Sequence, residues 1–180
     1  MSKIVVTEFL SLDGVMEEPA WTAPYWNDEI AKFKYDELFA SGAHLLGRVT
    51  YQGFAAAWPG RSDEFADRMN GLPKYVVSTT LQKAEWKGSI IIREHVAQEI
   101  GRLKQQPGQD ILVAGSATLV QTLILHGLAD EYHFLVYPVI VGLGKRIFQD
   151  GLDKTALNLI ESRAFSSGVV LLRYEPGRKG

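Results

Sequence analysis

Arg48, Thr50, Ser78, Thr79 and Ser116 are side chains suited to holding an anion, and they stand in three similar settings. Ala43 to Leu46 runs into Gly47-Arg48-Val49-Thr50, Lys74 to Ser78 ends in Ser78-Thr79-Thr80, and Ile111 to Ala114 runs into Gly115-Ser116-Ala117-Thr118. Each short apolar run reads as a strand buried on both faces. A helix starting just beyond such a strand offers unpaired backbone N–H groups and the positive end of its dipole, which suits a phosphate. Arg48 and Thr50 add a guanidinium fork and a hydroxyl. Taken alone, the Gly115-Ser116 turn reads better as an ordinary strand-to-helix connection, Arg48 could be a surface arginine near a cap, and the hydroxyls at 78 to 80 serve as well for capping. Three of them at the carboxyl ends of parallel strands imply an extended phosphorylated ligand, most economically a dinucleotide.

Other chemistry is sparse. The sequence has no cysteine, so disulfides, thiolate metal sites and a cysteine nucleophile are excluded. Its four histidines, His44, His95, His126 and His133, lack the short spacing of a zinc site, and no metal is expected. A net charge of -2 gives no general attraction to nucleic acid or acidic membranes; the only basic pairs noted are Lys145-Arg146 and Arg178-Lys179. No apolar run is long enough to span a bilayer, and the N-terminus lacks the pattern of a secretory signal, so a cytoplasmic location is expected.

Glu29 is the candidate acid. It falls in the first turn of a helix capped by Asn27 or Asp28 and running to about Phe39, where the dipole favours an acidic residue in any case. Just before it, Trp21, Tyr25 and Trp26 lie in a stretch without helical or alternating period. Such a stretch folds over something apolar, either a flat ring or core leucines. Trp21, Trp26 and Phe33 are the candidate substrate contacts.

The elements that must position these residues follow from periodicity. Lys3 to Leu10 opens the chain as a strand, Ser89 to Ile92 adds another, and Val96, Ala97, Ile100 and Leu103 mark a helix before Pro107-Gly108. Ser116 can cap a buried helix ending near Gly127, and Tyr132 to Val141 reads as a long strand. Leu157 to Ala164 and Val169 to Glu175 flank Ser166-Ser167-Gly168 as a hairpin. A single domain is expected, with a mixed and mainly parallel sheet, helices on both faces and an antiparallel C-terminal edge.

The segments SLDGVM, LLGRVTYQGF, KYVVSTTL, DILVAGSATLVQTL and LADEYHFLVYPVIVGLGKRIF, in that order, resemble the dihydrofolate reductase superfamily. They are most similar to the branch holding the reductase domain of riboflavin biosynthesis. The resemblance implies the three-layer α/β/α fold of that superfamily and NADPH as cofactor. Carried across, Gly47, Arg48, Val49 and Thr50, Ser78 and Thr79, and Gly115, Ser116, Ala117 and Thr118 would hold its phosphates, and Val15, Met16 and Gly115 its nicotinamide. Folate reductases have two glycines joined by a cis peptide at the central turn; here Ala114 replaces the first, and the cis bond is expected between Ala114 and Gly115. The family's acidic residue aligns with Glu29 or, one residue earlier, Asp28. A homodimer and a pterin-like or pyrimidine-like heterocyclic substrate are implied as well, with a true dihydrofolate reductase or a non-catalytic NADP-binding sensor as alternatives.

Overall fold

The computed structural model describes residues 1–177; Arg178 and Lys179 lie outside them. Among the described residues, five parallel and two antiparallel pairings build one eight-stranded sheet. Its strands are β1 (Ile4–Leu10), β2 (Ser41–Gly47), β3 (Lys74–Val77), β4 (Ser89–Ile92), β5 (Asp110–Val113), β6 (Glu131–Val136), β7 (Leu157–Ala164) and β8 (Val170–Pro176). They are ordered β4-β3-β2-β5-β1-β6-β8-β7, with β1 to β6 parallel and β8 antiparallel to both β6 and β7. This is the mixed, mainly parallel sheet with an antiparallel C-terminal hairpin that the sequence implies.

The helices are α1 (Asp28–Phe39), α2 (Arg48–Ala57), α3 (Glu64–Gly71), α4 (Val96–Gln105) and α5 (Ala117–Leu125), with a short 3-10 segment at Pro19–Tyr25. Asn27 caps α1 by accepting from the Ile30 amide, and Ser116 caps α5 by accepting from the Leu119 amide. Gly127, at φ 61, closes the end of α5. Because side chains alternate along a strand, β1 serves both faces of the sheet. Ile4, Val6 and Leu10 pack with Ile100 of α4 and Leu119 and Leu123 of α5, whereas Val5 packs with Leu38 of α1 and Met69 of α3.

One element differs from expectation. The strand expected to reach Val141 ends at Val136, although the Tyr137 amide still donates to the Leu10 carbonyl. Pro138 has no amide hydrogen with which to continue the ladder. Beyond it the chain folds back onto the turn after β1, where Asp13 accepts from the amides of Val141 and Gly142. Among the described residues no helix is long and apolar enough to cross a membrane.

Candidate active site where β5 leaves β1

β5 pairs with β1 only from Ile4 to Val6, whereas β1 continues against β6 as far as Leu10. From Thr7 onward β1 therefore has no strand on its β5 side. Into that fork opens a cleft of about 380 Å³. Thr7, Glu8 and Phe9 line it from β1, Lys34 from α1, and Thr50 and Phe54 from α2. Ala114, Ser116 and Ala117 form the opposite wall, with Met16, Pro19 and Lys145 at loops around it.

Two of the expected anion-binding turns interlock at this cleft. The Gly47 amide donates to the Gly115 carbonyl at 3.0 Å. A Cβ on Gly47 would stand 2.8 Å from that of Ser116, and one on Gly115 would stand 2.6 Å from the Thr50 hydroxyl oxygen. Only glycine allows so close an approach, and at Gly115 the φ of 126 also disfavours a side chain. The cis peptide bond lies between Gly115 and Ser116, one bond later than expected.

The other cofactor candidates surround these turns unevenly. Val49 is exposed on the cleft wall, and Arg48 points its guanidinium at the Gln52 side chain, 3.1 Å away. The Lys145 ammonium reaches the Thr118 hydroxyl at 3.3 Å. Val15 is fully buried, so only Met16 of that pair meets the cleft. Ser78 directly follows the neighbouring strand β3, whose last residue, Val77, lies opposite Gly47. Its hydroxyl accepts from the amides of Thr80 and Leu81, and neither it nor exposed Thr79 lines the cleft.

Glu29 is set apart from the cleft. Its carboxylate accepts from the Ser166 hydroxyl and, at 2.9 Å, from the Ser166 amide on the β7–β8 turn, and these bonds hold its pKa below the usual range. Trp21 and Tyr25 turn their rings edge-on to buried Tyr137 at 5.6 and 6.0 Å. Trp26 meets Phe9 edge-on at 6.3 Å and remains half exposed, and Phe33 meets His133 at 5.6 Å. The aromatic segment thus covers core around Tyr137, and it reaches the cleft through Glu17, Glu18 and Pro19.

The structure supplies a different acid. Glu8 is 6% exposed, lines the cleft and has a sealed oxygen, Oε1, with no hydrogen-bond partner among the described residues. Burial pushes its carboxyl up to about 8, against a lowering by nearby Lys34. Lys34 is itself committed: it donates to the Thr7 hydroxyl at 2.9 Å and to the Glu37 carboxylate. From Glu37 a chain of polar groups crosses the sheet's edge. His133 bridges Glu37 and Glu131 at 2.6 and 2.8 Å, and Arg173 joins Glu131 to Glu161. The sequence carries a signal for Glu8, a lone acid inside the apolar run IVVTEFL; Lys34 sits among the polar residues of an amphipathic helix and carries none.

The RibD C-terminal domain model matches residues 2–171. The chain belongs to the RibD C-terminal domain family. That family is a reductase domain, and the fold of its members is the one described above. Among relatives, the uncharacterized protein YyaP of Bacillus subtilis is 35% identical over 135 residues, 72% of this chain and 71% of that one. Among solved structures, a Shewanella sp. PV-4 protein provisionally described as a riboflavin biosynthesis protein superposes with a TM-score of 0.80 at 18% identity, covering 99% of this chain and 100% of its own. A pyrimidine reductase-like protein of Corynebacterium diphtheriae gives 0.70 at 12% identity, covering 99% and 93%.

Proposed function

We propose that this RibD C-terminal-like chain is an NADPH-dependent reductase that delivers hydride to the electrophilic carbon of a C=N or C=O group in a small heterocycle. The substrate would be 5-amino-6-ribosylaminopyrimidine-like, as in riboflavin biosynthesis, or pterin-like. The observation that carries this reading is the pair of interlocked glycine turns at 47 and 115, opening onto an apolar cleft. Backbone approaching that closely, with hydroxyls and a helix N-terminus beside it, fits a phosphorylated coenzyme.

When bound, the nicotinamide supplies the hydride. The protein's own share is binding, orientation and exclusion of water. Ser116, Ala117 and Thr118 at the start of α5, with Gly47 and Thr50, would hold phosphate, and Met16 with Gly115 would face the nicotinamide. Arg48 would answer the 2′-phosphate that separates NADPH from NADH. Glu29 keeps a part only as a remote support, through its bonds to the β7–β8 turn.

Titration with NADPH should quench tryptophan fluorescence and raise the melting temperature. Arg48→Ala should weaken NADPH binding by about tenfold or more and leave NADH binding nearly unchanged, because a charge-assisted phosphate contact is worth roughly 1.5–3 kcal/mol. NADPH oxidation is then followed with the ribosylaminopyrimidine substrate and with dihydrofolate, which separates the riboflavin-type reductase from a true dihydrofolate reductase. No response of fluorescence or melting temperature to NADPH would sink the reading.

A further inference from the structure

We propose that Glu8 anchors the substrate in this cleft as a neutral acid, presenting its O–H and C=O side by side to the N–H and C=O edge of an uncharged ring amide. The idea deepens the reductase reading, on which it rests for taking this cleft as the substrate's end. Four observations carry it.

First, Glu8 lies on β1 just past Val6, where β5 has turned away, so on its β5 side it borders the fork, while Phe134 of β6 pairs with it on the other side. Second, the surroundings are apolar: Phe9, Met16, Phe54 and Ala114 share the cleft with it. Third, Oε1 is sealed from solvent without a partner among the described residues, which is costly in a finished core, and a ligand that draws the carboxyl toward the cleft relieves that cost. Fourth, the nearest cation is already paired. Lys34 donates to Thr7 and Glu37, so Glu8 has no counter-ion of its own, and a buried carboxyl in that position keeps its proton.

The charged groups around Glu8 agree with this. Lys34 and Glu37 approach from α1, Glu17 and Glu18 from the loop after β1, and Lys145 from the loop before β7. The lining residues of α2 and of the β5–α5 turn bring no charge. A neutral carboxyl is one donor beside one acceptor, whereas a carboxylate accepts only. The first matches a ring lactam; the second would call for a ring amidinium. Glu8 in this form selects the lactam.

The test needs no coenzyme. Binding of 2-pyridone, whose N–H lies beside its C=O, and of N-methyl-2-pyridone is measured by ligand-observed NMR at about pH 6.5 and about pH 9.5, on either side of the expected titration. Wild type should bind 2-pyridone at the lower pH and at least tenfold more weakly at the higher. Glu8→Gln keeps a donor beside an acceptor, so it should bind at both. Glu8→Leu should lose binding, and the N-methyl ligand should bind at least tenfold more weakly than its parent. The proposal is overturned if wild type fails to bind 2-pyridone at the lower pH, if methylation makes no difference, or if folded Glu8→Gln binds as poorly as Glu8→Leu. Failure of NADPH binding with 2-pyridone recognition intact would instead remove the reductase reading and leave the anchoring role standing.

Discussion

Burial of Glu8 ties an inferred binding role to a measurable stability. Its carboxyl titrates at 4.5 in the unfolded chain and at about 8 in the folded one. Between those values the unfolded state has released a proton that the folded state keeps, so rising pH favours unfolding. Comparing wild type with Glu8→Gln in urea isolates this group from the others. The variant should gain stability relative to wild type as pH rises from about 4.5 to about 8, and parallel curves would contradict the burial. Glu8 is also where reading the sequence fell short. Strand patterning placed it correctly in β1, but a single acid in an apolar run does not say whether it meets water, a partner or a cavity. That depends on β5 leaving β1 after Val113, a property of two strands more than a hundred residues apart.

Among the elements, the interlocked turns and the α1–β6–β8 polar chain are the two places where a small change should propagate. Gly115→Ala puts a Cβ against Thr50 at a φ of 126 and should cost about 1–3 kcal/mol of stability. In melts that still show a folded protein, it should also abolish the NADPH-induced shift, whereas Gly101→Ala on α4, with open space around it and away from the cleft, should do neither. Glu37 behaves oppositely to Glu8. Its burial alone would raise its pKa, but Lys34 and His133 overcome that and hold it at about 2. Its contribution is therefore complete above 4.5 and is lost as pH falls toward 2. Glu37→Gln should destabilise at neutral pH by about 3 kcal/mol, the scale for leaving a buried charge unpaired, and should flatten the acid limb of the stability curve. The caps at Asn27, Ser116 and Gly127 were legible because capping is local chemistry written in adjacent residues. The charge chain was not, since Glu37, Glu131, His133, Glu161 and Arg173 meet only after four elements, α1, β6, β7 and β8, have packed.

For the whole molecule, the antiparallel end of the sheet is where pairing with a second copy is proposed. β7 is an edge strand, with Leu159 and Ile160 both about half exposed. Leu159 lies opposite Tyr174 of β8, whose ring neighbours Phe134 of β6, and Phe134 in turn meets half-exposed Phe148 edge-on at 5.8 Å. α5 packs on this row's inner end through Leu119 and Leu123, and the outer end carries its apolar side chains toward solvent. An apolar row continuous with the core, on a sheet edge free to pair, is a surface that a twofold partner would cover. Light scattering after gel filtration should give about twice the 20.0 kDa of one chain. Leu159→Lys combined with Phe148→Ser should return it to a monomer, because both changes place polar groups in the row while β6 and β8 keep their register. A wild-type monomer at tens of micromolar would reject the pairing. The cleft lies on the other side of β1 from this edge, so a monomeric variant that still binds NADPH would show that pairing and coenzyme binding are separable. Loss of both together would mean that the loop after Pro138, which Asp13 ties to the turn after β1, transmits one to the other.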